Sequence, residues 1–271
     1  MRRDLTDRVI VITGASSGIG AATALACARA GMHAVLHGRR AERLEGVARQ
    51  VRELGRQAVV VVGDVTEPGL STRLLDAAQA SFGTFYAVFA NAGYGVHRPM
   101  HELDDATLRR IFDVNFFAAV DLLREAARRL IAARRRGHLL MCSSAASRFV
   151  LPEFAAYTAT KAAQAHVCGS MRLELRRYGI DVSSVHPITT HTEFHAVAAE
   201  LSGLDPKAFS PADRFPRWFV QSPERVAHAV VACLRRPRGE VWTSHVVRVL
   251  TGLVAAFPEL VDLVAAIRPR R

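Results

Sequence analysis

The chain has 271 residues, half of them hydrophobic, which is enough to bury a large core and too apolar for disorder along its whole length. Its formal charge of +11 (36 Lys and Arg against 25 Asp and Glu) favours anionic partners such as phosphorylated cofactors; nucleic acid is excluded because the arginines are spread along helical stretches and no nucleic-acid module is present. No uncharged apolar run approaches the roughly 18 residues of a spanning helix, and the scattered Cys27, Cys142, Cys168 and Cys233 form no CxxC pair, as expected of reduced thiols in a cytoplasmic protein.

Arg2 and Arg3 are followed by Asp4 and Asp7, and the apolar run from Val9 stops at Thr13-Gly14, which reads as a first strand and not as a signal peptide. Short β-branched runs predict strands over Arg8–Thr13, His33–Gly38, Gln57–Gly63, Phe85–Ala90, Gly137–Ser143, Ile180–His186 and Glu240–Val246. Amphipathic stretches over Ile19–Gly31, Ala41–Leu54, Pro68–Phe82, Asp104–Arg135, Ala155–Tyr178 and Pro223–Arg235 predict the helices between them. Such alternation implies an α/β fold: a doubly wound, Rossmann-type parallel sheet of about seven strands with helices on both faces. The run Val59–Val62 is apolar on both sides, as a strand covered on both faces requires. One domain over residues 1–249 is expected, with a helical tail over 250–271.

After the first strand comes Thr13-Gly14-Ala15-Ser16-Ser17-Gly18-Ile19-Gly20, then a helix. Glycines let the backbone turn tightly and approach a pyrophosphate, and the helix start offers free N–H groups and the positive end of its dipole. The second strand ends at Gly38-Arg39-Arg40, where an acidic residue would select NAD by binding the ribose 2′-hydroxyl. A guanidinium suits a 2′-phosphate instead, so the expected cofactor is NADP(H) in preference to NAD(H), with Arg39 as main contact and Ser16 as a second.

Five motifs in order now resemble the short-chain dehydrogenase/reductase family in its compact single-domain form: the loop Thr13–Gly20, Asp64-Val65, Asn91-Ala92-Gly93, Ser143-Ser144 and Tyr157-Thr158-Ala159-Thr160-Lys161. The resemblance runs from about Leu5 to Val246. It implies that Gly14, Ser16, Ser17, Gly18, Ile19 and Gly20 hold the pyrophosphate, that Asp64 and Val65 meet the adenine, and that Asn91, Ala92 and Gly93 steady the sheet beside the cofactor. It further implies Pro187 and Thr192 at the nicotinamide, Lys161 on its ribose, Ser144 on the substrate oxygen, and Asn115 holding a water that links Lys161 to solvent. Ile188 departs from the family, which commonly has glycine after this proline. A homodimer or homotetramer, built through the Asp104–Arg135 and Ala155–Tyr178 helices, is also implied.

The chemistry follows from the spacing. Tyr157 and Lys161, four apart on a helix, share one face. A free tyrosine titrates near 10, and a nearby ammonium lowers that value toward the range useful to an acid/base catalyst. The reading is an oxidoreductase that exchanges hydride between NADP(H) and a carbonyl or secondary alcohol, with Asn115, Ser144, Tyr157 and Lys161 as its catalytic residues. The competing readings are a non-catalytic NADP-binding sensor or scaffold, and a nucleotide-sugar epimerase, whose relatives carry a larger C-terminal substrate domain.

Residues 187–222 form an expected substrate loop, rich in proline and in bulky Phe194, Phe209, Phe215, Trp218 and Phe219, which points to a hydrophobic small molecule. Tyr94 and His97 follow the Asn-Ala-Gly turn and are candidates to line the pocket. His191 and His195 flank Thr192 and Glu193, with His186 near, but the glutamate does not directly follow the first histidine, so the spacing assigns them to the substrate loop and no metal is expected. Leu250, Leu253, Val254, Phe257, Val261 and Val264 have near-helical spacing and precede Arg268-Pro269-Arg270-Arg271. This tail is expected to be a helix packed on the domain, at an oligomer contact or beside the site; contact with an anionic membrane surface is the lesser alternative, because Glu259 and Asp262 oppose it.

Overall fold

The computed structural model describes residues 2–205, 219–257 and 259. Six helix-linked strands come first: β1 (Val9–Thr13), α1 (Gly18–Arg29), β2 (His33–Gly38), α2 (Ala41–Glu53), β3 (Ala58–Val62), α3 (Leu70–Phe82), β4 (Ala87–Ala90), α4 (Asp105–Phe112), α5 (Ala118–Ala132), β5 (Gly137–Cys142), α6 (Ala155–Leu175) and β6 (Ile180–His186). Then follow β7 (Thr189–Thr190), α7 (Phe194–Leu201), β8 (Val220–Gln221), α8 (Pro223–Arg235), β9 (Glu240–Trp242) and α9 (His245–Ala256). Seven strands make one parallel sheet in the order β3-β2-β1-β4-β5-β6-β9. The order reverses between β1 and β4, and such a switch point leaves a crevice at the carboxyl ends of the strands.

Alternation along β1 shows how the core is divided. Ile10 and Ile12 pack with Leu36, Leu44, Val226 and Val230 under α1, α2 and α8; Val9 and Val11 pack with Leu74, Val88, Leu123 and Met141 under α3, α5 and α6. Both faces are thus covered, as parallel sheets require. Within the run Val59–Val62, Val60 packs on the first of these clusters and Val59 and Val61 on the second, so it lies between two covered faces as its composition requires. β3 is an edge strand, and its outer end opens to solvent, with Val62 45% exposed.

Two expectations near the C-terminal end change. The last strand stops at Trp242 and not at Val246, because the Ser244 hydroxyl accepts from the Val247 N–H (3.4 Å) and starts α9. Residue 250, the expected start of a tail, therefore lies inside this helix. Val247 and Thr251 face the domain, while Val249, Leu250, Leu253 and Phe257 are exposed. Residues 206–218, with Phe209, Phe215 and Trp218, and the tail residues from Val261 onward lie outside the described residues. No helix among the described residues is long and apolar enough to cross a membrane.

Candidate active site

The crevice is built from the ends of β1, β2, β4, β5 and β6. At the end of β1 the Thr13 hydroxyl oxygen accepts from the N–H groups of Asn91 (3.0 Å) and Ala92 (3.1 Å), while the Asn91 amide donates to the Thr13 carbonyl (3.1 Å). Asn91, Ala92 and Gly93 are thereby fastened against the glycine loop. A Cβ on Gly20 would lie 2.2 Å from the Gly14 carbonyl oxygen, and one on Gly14, at φ +67°, would lie 2.9 Å from the Ala92 Cα. This turn closes only with glycine. Ser17 precedes α1 without capping it through its own hydroxyl, so the N–H groups of the first turn at Gly18, Ile19 and Gly20 are offered to an anion. The loop therefore fits a dinucleotide's pyrophosphate.

At the end of β2 a second arginine stands beside the one singled out by sequence. Arg40 turns over the loop: its guanidinium donates to Ser17 Oγ (2.7 Å), Ser16 Oγ (3.1 Å) and Glu193 (2.7 Å), and Arg43 also pairs with Glu193. Arg40 is the residue just before α2, with extended backbone, and this directs it back across the loop; Arg39, the expected contact of the 2′-phosphate, is exposed like Arg40. Asp64 stands after β3; its carboxylate accepts from the Thr66 N–H (3.0 Å) and hydroxyl (2.8 Å) and from Arg110 (2.7 Å). Burial pushes its carboxyl up, but these bonds hold it below the ordinary value. Val65 lines a small crevice with Thr13 and Ala92.

The β5 end and α6 lock together reciprocally. Ser143 Oγ donates to the Lys161 carbonyl (2.8 Å), and Lys161 Nζ donates to the Cys142 carbonyl (2.7 Å). Lys161 is buried, and burial lowers its ammonium to about 8. Its Nζ lies 5.6 Å from the centre of the Tyr157 ring. Ser144 Oγ accepts from the Ala146 N–H (3.1 Å) and stands close enough to the Tyr157 hydroxyl to pull its phenol down. Sequence reasoning expects Lys161 to lower the Tyr157 phenol. In the folded protein burial dominates and pushes it up, and the neighbouring Ser144 pulls it only partly back.

Asn115 sits in a π-helical turn, Asp113–Phe117, that interrupts the single long helix expected over Asp104–Arg135. Its buried amide is fully used: Oδ1 accepts from the Tyr94 N–H (3.0 Å), and Nδ2 donates to the Tyr94 carbonyl (2.9 Å) and Thr160 Oγ1 (3.1 Å). Its backbone carbonyl, freed by the π turn, accepts from the Gln164 amide. Tyr94 is thus fixed by its backbone, and its partly buried ring packs, as does Tyr157, on the cluster of Val96, Ile111 and Ala156. The ring of Tyr157 is flanked by Phe154 (6.2 Å between centres) and Phe194 (5.1 Å).

Beyond β6 the Pro187 carbonyl accepts from the Ala145 N–H (2.9 Å), and Ile188 is buried against Ala145 and Val247. The side chain of Ile188 therefore fills a packing position that glycine could not. Thr192 reaches the glycine loop, its methyl 3.0 Å from where a Cβ on Gly18 would be. His186 is not a substrate-loop residue. It is buried, stacked on Trp242 (4.5 Å), and its Nδ1 donates to the Ser144 carbonyl (3.1 Å). Sequence reasoning also missed Gln164, whose position three after Lys161 on an apolar helix face was the available signal, and Arg43, Phe154 and Glu193.

Comparison with known proteins agrees with this geometry. The family model described as short chain dehydrogenase matches residues 8–201. The A-factor type gamma-butyrolactone 1′-reductase (1S-forming) of Streptomyces virginiae is 35% identical over 227 residues, 83% of this chain and 87% of the relative. The structure of L-sorbose reductase from Gluconobacter frateurii, complexed with NADPH and L-sorbose, superposes with a TM-score of 0.78 at 29% identity, covering 89% of this chain and 96% of that one. A short-chain dehydrogenase/reductase from Burkholderia phymatum in complex with NAD shares the fold, with a TM-score of 0.85 at 24% identity over 95% of this chain and 96% of that one. The protein belongs to the short-chain dehydrogenase family of nicotinamide-dependent oxidoreductases.

Proposed function

We propose that the protein exchanges hydride between NADP(H) and a carbonyl or secondary alcohol of a hydrophobic small molecule, with Tyr157 as acid/base. The observation that carries this reading is the convergence of Ser144, Tyr157 and Lys161, with the Ser144 hydroxyl beside the phenol and a buried ammonium beside the ring. When bound, the nicotinamide supplies the hydride. The Ser144 hydroxyl holds the substrate oxygen, and the Tyr157 hydroxyl gives that oxygen a proton on reduction or takes it on oxidation. Lys161, fixed by the Cys142 carbonyl, holds the nicotinamide ribose and favours the phenolate against the cost of its burial. Asn115 stiffens the π turn between Tyr94 and Thr160 and so keeps α6 in register with the pocket.

Arg40 and Arg43, with the Ser16 and Ser17 hydroxyls, form a basic corner beside the glycine loop that suits a 2′-phosphate, and Gly38 offers no carboxylate to repel it. Phe154 and Phe194 around Tyr157 support an apolar substrate. The four free, buried cysteines suit a reducing compartment, and a cytoplasmic location is part of this reading. So is a homodimer or homotetramer through α5 and α6, near which Phe117 and Leu173 stand exposed. The reading is tested by following a carbonyl panel at the nicotinamide absorbance with NADPH and with NADH. Turnover faster with NADPH is expected. Firm NADPH binding without turnover of any member would favour the sensor reading, and a preference for NADH would overturn the cofactor assignment.

A further inference from the structure

The segment Thr192-Glu193-Phe194, at the start of α7, lies across the cofactor crevice and is held on both flanks. The Thr192 methyl packs on Gly18, and the Phe194 ring occupies the space that Gly95 leaves open, its Cζ 2.7 Å from where a Cβ on Gly95 would be. Between them the Glu193 carboxylate takes Arg40 through one oxygen (2.7 Å) and Arg43 through the other. The same Arg40 guanidinium bonds Ser16 and Ser17 of the glycine loop. Both arginines of the basic corner are therefore engaged by a carboxylate that packing has already aimed at them. These two guanidinium groups hold the Glu193 carboxyl at about 2, so it is charged throughout the working pH range.

Carboxylate and phosphate compete for the same guanidinium geometry. We propose that Glu193 is a specificity-determining residue that acts as an internal competitor: a 2′-phosphate gains Arg40 and Arg43 only by displacing its carboxylate. This rests on the NADP(H) reading above. Each partner is about half exposed, so the latch is weak enough to exchange. Its cost falls on ligands with a 2′-phosphate and spares those without one. Apparent affinity is divided by the fraction of molecules whose arginines are available, so a latch formed about nine-tenths of the time costs roughly tenfold.

Calorimetric titration with adenosine 2′,5′-bisphosphate and with adenosine 5′-monophosphate reads this without turnover. Glu193→Gln is expected to tighten the bisphosphate about tenfold and to leave the monophosphate nearly unchanged. In an Arg40→Gln/Arg43→Gln background the same change should do nothing, and monophosphate binding reports that this background is folded. If the arginine pair matters for the bisphosphate but Glu193→Gln leaves its affinity at the wild-type value, Glu193 is no competitor and the cofactor reading stands. If the arginine pair alters neither ligand and both bind alike, the 2′-phosphate assignment fails and the proposal falls with it.

Discussion

The glycine loop after β1 is held by backbone contacts, whereas the segment after β6 is held by side chains. In the loop, Gly14 and Gly20 close a turn in which one added carbon would meet main-chain atoms at 2.9 Å or less. After β6, Ile188 packs on Ala145 and Val247, Thr192 on Gly18, and Phe194 against Tyr157, contacts that other side chains of similar volume could supply. One wall of the crevice is therefore fixed by geometry that only glycine satisfies. The other can vary its residues while it keeps its volume, which is how one scaffold can keep its cofactor and change its substrate.

Three substitutions or titrations bear on that contrast. The largest effect belongs to Gly20→Ala, whose Cβ has no room against the Gly14 carbonyl. It should cost about 1–3 kcal/mol or more of stability and abolish measurable NADPH binding, as read by thermal unfolding and calorimetry; near-native binding would show that the loop yields. Next is the buried base of the site. Burial lowers Lys161 to about 8, so kcat/KM for reduction should fall as pH rises through that value and the ammonium is lost. Lys161→Arg should remove the inflection; an unchanged profile would assign it to another group. The smallest is Ile188→Val, which trims one methylene from a packed side chain and should cost about 0.5–1.5 kcal/mol with little change in cofactor affinity, and a large loss of affinity would contradict the view of this wall as tolerant.

The same contrast explains what was legible in the sequence. Strands of β-branched residues, the glycine loop, Asn91-Ala92-Gly93 and the Tyr157–Lys161 spacing are local patterns, and local backbone physics fixes them. That Arg40 also reaches the loop depends on where a strand hands over to a helix, and such boundaries shift by a residue or two. The pairing of Glu193 with Arg40 joins residues 153 apart in the chain, and that of His186 with Trp242 depends on β6 and β9 lying side by side. Nor does an all-valine strand announce that it lies at the sheet's edge. The π turn at Asn115 was flagged only by an amide in an apolar helix pattern.

The central claim is that the phenol of Tyr157 moves the proton. Tyr157→Phe keeps the ring between Phe154 and Phe194 and removes only the hydroxyl beside Ser144. Turnover of the best carbonyl substrate should fall by about 10²–10⁴-fold, while the NADPH dissociation constant, measured by calorimetry on the same preparation, stays within about twofold of wild type. Turnover retained within a factor of about ten, with binding intact, would contradict the assignment.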